Sequence, residues 1–558
     1  MNKKYIMITV FIMAMSLLMI AGGPHKGIED EADDHCTDIV VGRKASVDGS
    51  VITSHTGCGP ECRVHVVPAQ TFAKGEKAPV HYGIQDVEKS IHDFGKVIGT
   101  IPQVERTYAY FHSAYPHMNE HQLAIGESTL SQRDELKVDH SWGAAQIMTV
   151  EQAQVFALQR CTTAREAVRL IGSLMDTYGF LPSCGPESEA LCIADPKEAW
   201  IMEIFSVGMD WQPDAGKPGA IWAAQRVPDD HVAVVPNWSV IKDIHPDQTD
   251  RFIVSGNYMS FAVERGWYDP DGGVPFIWQN VYAPIPREWA TGRFWLFFSS
   301  FAPHLREWPD RKLAHPFSGY DSYHQYVEPL SIYPFSVKPE KKLSVRDVIA
   351  FQRSVFPGTI YDMTADKDWL VPDGRGGMKK SPLATPFPTK NMRELLDITW
   401  RRMVSRGGYG MVAQLRDWLP DPIGGVYWYY LDNQHVSTYV PIYAGVTEIS
   451  PLYQTYDPNK FSEDSARWAV DFVDNLLYLN WQKGMEDLKK MRDPLEDGFF
   501  KEISSIDTAA LKLFNKNPSE AVSFLTDYTR KCMEDTVSMY QNLRNLLITK
   551  YTNNKQGF

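Results

Sequence analysis

Cys36 is the residue whose chemistry depends most on where the chain is cut. If the bond after His35 is hydrolysed, Cys36 carries its thiol and its own α-amine two carbons apart. A free α-amine titrates near about 7.7–8.0 and a thiol near about 8.5, so at neutral pH the amine can take the thiol proton. One residue then supplies both nucleophile and general base. The competing reading makes Cys36 one half of a disulfide near the start of an exported domain. The preceding residues favour a cut. Lys3-Lys4, the 17 apolar residues Tyr5 to Ala21 and the small residues Ala21-Gly22-Gly23 form the pattern of a signal peptide over 1–21. That length is also at the lower limit for an uncleaved membrane anchor. Residues 22–35 hold Glu29, Asp30, Glu31, Asp33 and Asp34 with no apolar period, and they read as a propeptide. The expectation is export to the periplasm or beyond, with no stable membrane insertion after maturation.

A second group is His55, Cys58, Cys62 and His65, four soft-ligand side chains within eleven residues. Their 2-3-2 spacing is not a usual zinc arrangement and an exported protein meets oxidising conditions, so a Cys58–Cys62 disulfide is expected instead of a metal. Cys184 and Cys192, flanking Gly185-Pro186, are the next local pair, while Cys161 and Cys532 read as buried thiols.

These residues need elements to position them. β-Branched runs on either side of Asp48-Gly49 predict that Cys36 opens the first strand of a hairpin. Two further hairpins are predicted, one with Thr107 to Tyr115 and Gln122 to Thr129 flanking residues 116–120, the other with Leu191 to Ala194 and Ala199 to Ile204 flanking residues 195–198. Between them Thr163 and Glu166 form a capping box ahead of Ala167, Leu170, Ile171, Leu174 and Met175 at helical spacing. Residues 256–334, dense in aromatic residues and Pro without a period, read as loops and short strands. Ser344 and Asp347 cap another helix, and 425–443 return to strand character. From Ser462 onward the pattern is helical, with a stripe of Trp468, Phe472, Leu476 and Leu479 and a last helix capped by Asn517-Pro518. Hairpins followed by helices predict an α+β fold, with a main domain over 36–455 and a helical region over 456–558 packed on it.

Composition sets outer bounds. A chain of 558 residues with 44% hydrophobic and 22% charged residues has material for a large core, which excludes disorder. The formal charge of −13, about −11 once residues 1–35 are removed, excludes nucleic acid as a natural partner.

The run Cys36-Thr-Asp-Ile-Val-Val-Gly-Arg-Lys-Ala-Ser-Val-Asp-Gly-Ser50 resembles the mature start of the cysteine N-terminal-nucleophile (Ntn) dipeptidases of the dipeptidase A and secernin family. Colinear matches continue through Met118 to Ser128, Thr163 to Ala167, Ala194-Asp195-Pro196 with Trp200 and Glu203, Trp222 with Arg226 to Asp229, Asn237, Asn257 with Gly266 to Asp269, and Val440 to Gly445. The resemblance spans roughly Cys36 to Trp481. It implies an αββα sandwich of two antiparallel sheets flanked by helices, and hydrolysis of dipeptides or short peptides through a Cys36 thioester, with no cofactor or metal. It also implies Asn119 as oxyanion donor and Asn237 as the residue that orients the amine or substrate. The family's usual Arg and acid after Asp-Gly-Ser are missing here; Glu61 and Arg63 are the weak candidates to replace them at the substrate. An amide acylase of the penicillin V or bile-salt type and a non-catalytic surface binding protein remain open as alternatives. So does a homo-oligomer.

Overall fold

Runs of β-branched and aromatic residues in this chain become strands buried on both faces, because sheet packs on sheet and helices cover what is left. The computed structural model describes residues 36–57, 59–86, 90–284, 288–308, 333–359, 361–396, 404 and 407–552. The expected signal peptide (1–21), propeptide (22–35) and Cys58 lie outside them, and the described residues fall in one unit, His35–Phe558.

Fourteen strands build two main sheets. In chain order they are β1 (Asp38–Val41), β2 (Val51–Gly57), β3 (His65–Val67), β4 (Tyr110–His112), β5 (Pro116–Asn119), β6 (Ala124–Leu130) and β7 (Ser188–Ala194). The series continues with β8 (Ala199–Ser206), β9 (Ala220–Val227), β10 (Val232–Val235), β11 (Phe252–Val254), β12 (Tyr409–Leu415), β13 (Val426–Leu431) and β14 (Val440–Tyr443). The six-stranded sheet has the order β10-β1-β2-β12-β13-β14 and the eight-stranded sheet β11-β9-β8-β7-β6-β5-β4-β3, every pairing antiparallel. The sheets meet where β2 lies against β6 and β7. Gly126 on β6 shows how close they come: a Cβ there would sit 2.4 Å from Ser54 O and 3.0 Å from Asp38 Oδ2.

Helices α1 (Val150–Arg160) and α2 (Ala164–Tyr178) pack on the eight-stranded sheet. The Thr163–Glu166 capping box opens α2 as the sequence predicts. Three helices, α3 (Ser260–Glu264), α4 (Trp278–Tyr282) and α5 (Glu288–Phe301), occupy the stretch read as loops and short strands. That expectation is corrected. Phe294, Phe297 and Phe298 are buried along α5 at helical spacing, a period hidden by the aromatic residues around it. Pro116–Asn119 is likewise a strand of a three-strand meander, not the turn of a hairpin. Helix α6 (Val345–Gln352), opened by the predicted Ser344–Asp347 box, packs on β2 and β12.

The helical C-terminal region comprises α7 (Ala466–Leu477), α8 (Trp481–Phe514) and α9 (Pro518–Tyr551), the last capped by Asn517 as expected. Against β13 and its neighbours α7 buries Ala466, Ala469, Val470, Val473, Leu476 and Leu477. The predicted stripe was offset by about one residue: Trp468 and Phe472 are half-buried and Leu479 is exposed. No helix among the described residues is long and apolar enough to cross a membrane.

Candidate active site

Register places the first site pair. Asp38 lies opposite Val235 between β1 and β10, so continuing the pairing two residues sets Cys36 beside Asn237. Both are buried, Asn237 completely, and Asn237 has φ +60°, a left-handed conformation that Asn tolerates better than most residues. Its backbone N–H donates to Ser128 Oγ at 3.0 Å and its Nδ2 to Thr129 O at 3.0 Å, both on β6. Among the described residues the second Nδ2 hydrogen has no acceptor.

Arg293, on α5 and 1% exposed, joins the pair. Nη1 donates to Cys36 O at 2.6 Å and Thr37 Oγ1 at 2.8 Å, while Nη2 donates to Pro236 O at 2.8 Å and Asn237 Oδ1 at 2.9 Å. The planar guanidinium thus fixes the position of Cys36 relative to the amide of Asn237. Thr37 is held further by its N–H on Thr56 Oγ1 at 2.8 Å and its hydroxyl on Val404 O at 2.9 Å. The sequence reading missed Arg293. Its only signal was a lone cation beside the Phe294–Phe298 apolar face.

Asn119 is elsewhere in its bonding. Nδ2 donates to Leu158 O at 2.8 Å and Cys161 O at 2.9 Å, and Oδ1 accepts from the N–H groups of His121 and Leu123, each at 3.0 Å. Both amide hydrogens are spent on locking the β5–β6 turn against the end of α1, so as it sits the side chain has none to give an oxyanion. Glu61 and Arg63 are brought together, but with each other. Arg63 Nε donates to both Glu61 carboxylate oxygens at 2.9 and 3.1 Å, and Glu61 Oε1 also accepts from the N–H groups of Cys62 and Arg63.

Beneath Cys36 lies a layer of buried acids and imidazoles. Asp38, His55, His117, Glu127 and Glu189 are all 0% exposed. His55 Nδ1 lies 2.8 Å from Glu127 O and 3.2 Å from the Glu127 N–H, and the tautomer that donates Nδ1–H to the nearer Glu127 O accepts the Tyr409 hydroxyl on Nε2 at 3.3 Å. Among the described residues, both Asp38 oxygens, Glu127 Oε2, Glu189 Oε2 and Glu151 Oε2 have no hydrogen-bond partner. Burial, with Glu127 nearby, holds Asp38 well above the carboxylate range; burial, with the neighbouring Glu127 carboxyl, does the same to Glu189, and burial also raises Glu127. Burial pushes Glu151 up to about 7 and His55 down to about 4. Asp38 Oδ1 is 3.4 Å from His55 Nδ1, the spacing of an ion pair, yet burial drives both groups to their neutral forms. Neutrality is the better description, since no donor among the described residues hydrogen-bonds to Asp38.

The two histidines of the soft-ligand group separate. His55 packs among Tyr115, His117 and Tyr409, whereas His65 packs among His92, Phe94 and His112. No group of three or more His, Cys, Asp or Glu among the described residues has the geometry to hold a metal. The expected Cys184–Cys192 bridge is not formed: Cys184 Sγ is 3.3 Å from Tyr115 Oη and Cys192 is a buried thiol of β7. Cys62 is also a thiol, pushed up to about 12 chiefly by burial, and its expected partner Cys58 lies outside the described residues.

The model of peptidase family C69 matches residues 35–493. A probable dipeptidase of Latilactobacillus sakei is 22% identical over 513 residues, covering 88% of this chain and 90% of that protein. A probable dipeptidase of Salmonella dublin is 23% identical over 463 residues, covering 80% and 86% respectively. Dipeptidase A of Lactobacillus helveticus is 22% identical over 460 residues, covering 80% and 82%.

Proposed function

The chain belongs to peptidase family C69, and on that premise we propose that it is an exported cysteine dipeptidase whose nucleophile is Cys36, activated by cleavage after His35. The observation that carries the reading is the Arg293 bridge, which ties the Cys36 carbonyl and the Asn237 side chain into one unit. Two antiparallel sheets in contact, with helices packed on each, support the αββα reading.

In the proposed reaction the Cys36 thiol gives its proton to its own α-amine as Sγ attacks the substrate's peptide carbonyl. The oxyanion accepts the second Nδ2 hydrogen of Asn237, so this residue takes over the donor part first assigned to Asn119. Collapse of the tetrahedral adduct breaks the C–N bond, the α-ammonium protonates the leaving amine, and a thioester remains. Water then attacks with the α-amine as base, releasing the acid and restoring the thiol. The substrate is a dipeptide or short peptide, the activity named for the relatives.

The test is N-terminal sequencing of the protein from its native host, together with turnover of a dipeptide panel by wild type and Cys36→Ala. Expected are a chain beginning at Cys36 and no turnover in the variant. A stable active chain retaining residues before Cys36 removes the α-amine from the mechanism. Preference for N-acylated amides over dipeptides would move the activity to the acylase class.

A further inference from the structure

Away from Cys36, the junction of α6, the β13–β14 connection and α8 forms an open crevice of about 380 Å³. It is lined by Arg346, Arg353, His435, Lys489, Arg492 and Glu496, four cations and one carboxylate in a chain whose formal charge is −13. Lys489, Arg492 and Glu496 follow at spacings of three and four on one face of α8.

Compensation of these charges is uneven. Arg353 and Glu496 cancel in a bidentate pair at 2.8 and 2.7 Å, and Arg353 also donates to Gln434 O and Ser437 O, so this pair forms a fixed floor. Arg492 donates to His435 O at 2.7 Å and pairs with Asp493, which is half exposed. Arg346 pairs with the similarly exposed Asp497 at 2.6 Å while lying over Phe500. The Arg346–Asp497 pair is exposed on both sides, so it contributes about 0–1 kcal/mol and yields readily to a stronger partner, whereas Arg492 is itself buried and only its Asp493 partner reaches the surface. Lys489 has no ion-pair or hydrogen-bond partner among the described residues. His435 donates Nδ1–H to Arg353 O at 2.9 Å, which leaves Nε2 as its bare acceptor. Burial and the charges of Arg492, Arg353 and Lys489 push this imidazole down to about 4 against the pull of that hydrogen bond.

We propose that this crevice binds a small oxyanion carrying two or more negative charges, a phosphate group or a dicarboxylate, held by Lys489, Arg346 and Arg492. The volume exceeds that of a bare phosphate ion and admits an attached organic part. The site stands apart from the peptidase reading, since none of its lining residues belongs to the Cys36–Asn237–Arg293 unit.

Calorimetric titration of the full-length protein with inorganic phosphate and, separately, malonate, at constant ionic strength, tests it. Wild type is expected to show saturable binding of at least one anion, and the tighter of the two identifies the head group. Lys489→Ala and Arg346→Ala, both exposed and outside the core, are expected to weaken binding by about tenfold, the loss of one charge-assisted contact, with an unchanged melting temperature in the absence of anion. The His435 imidazole should titrate at higher pH when the anion is bound, seen by NMR. No saturable binding of either anion, or equal affinity in wild type and Lys489→Ala, overturns the proposal.

Discussion

The interior around Cys36 contains two polar regions that solve the same problem in opposite ways. In the Cys36–Asn237–Arg293 unit the charge is kept: one guanidinium is surrounded by four oxygens, two of them backbone carbonyls, at 2.6–2.9 Å. In the layer formed by Asp38, Glu127, Glu151 and Glu189 the charge is given up, because unpartnered carboxylate oxygens and each other's proximity favour the protonated forms. A buried charge persists only where hydrogen bonds replace water; elsewhere it is cheaper to hold a proton. Glu203 shows an intermediate case among the acids. It accepts from Ser239, Val240, Ile241 and Trp278, yet burial still raises it. The difference predicts that truncations in the first region break function, and that neutral replacements in the second chiefly change how stability depends on pH.

The largest effects belong to the first region. Cys36→Ala is expected to abolish dipeptide turnover with the fold intact by circular dichroism; residual activity near wild type would assign the chemistry to another residue. Arg293→Ala removes four hydrogen bonds and leaves buried oxygens unsatisfied, so a loss of about 2–4 kcal/mol in stability should accompany a fall in kcat. Arg293→Lys separates the two effects: it returns charge but not the planar fork, so stability should recover further than kcat. Equal recovery of both would make Arg293 a structural residue alone. Asn237→Gly keeps the positive φ while deleting the amide, and about a 10²–10³-fold fall in kcat is expected if that amide meets the oxyanion. A wild-type kcat in that variant would end the assignment.

These residues differ in how far the sequence reveals them. Cys36 and Asn237 flank short β-branched strands, Asp38–Val41 and Val232–Val235; the strand after Cys36 was readable from pattern, whereas the pairing that sets the two residues side by side was not. The capping boxes at Thr163 and Ser344 were equally local, because a cap is a contact between residues three apart. Arg293 was not readable, since its four partners are 56 or more residues away along the chain and its helix was masked by aromatic density. Asn119 misled for the opposite reason. The sequence put it in a turn, whereas it ends strand β5, and the carbonyls of Leu158 and Cys161 that take its hydrogens belong to the end of α1, about 40 residues away. The acid layer was hidden altogether, because Glu127 reads as an ordinary polar position of a strand and Glu189 falls before the predicted start of the next one at Leu191.

Within that layer, Glu151 gives the clearest pH signature. Its folded value of about 7 lies above its ordinary 4.5, so between those values the fold keeps a proton that the unfolded chain has released. Stability from this group therefore falls as pH rises from about 4.5 to about 7 and is level above, a change of order 3 kcal/mol. Glu151→Gln cannot titrate, so relative to wild type it should gain that amount across the window in denaturant unfolding. Parallel stability curves for the two proteins would mean that Glu151 is ionised in the fold.

The smallest expected effect is the most discriminating. If Asp38 and His55 formed a charged pair at their 3.4 Å separation, Asp38→Asn would strand a buried imidazolium and cost about 3–5 kcal/mol. If both are neutral, as their burial dictates, the substitution exchanges one neutral group for another of the same shape. A change within about 1 kcal/mol is then expected near pH 4, close to the ordinary carboxyl value, where holding the Asp38 proton costs the fold least. Asp38 also retains its proton above the pH at which the unfolded carboxyl loses it, so wild type should weaken relative to Asp38→Asn as the pH is raised toward 8. A penalty of several kcal/mol that does not shrink with pH would restore the ion pair and make the layer beneath Cys36 a charged one.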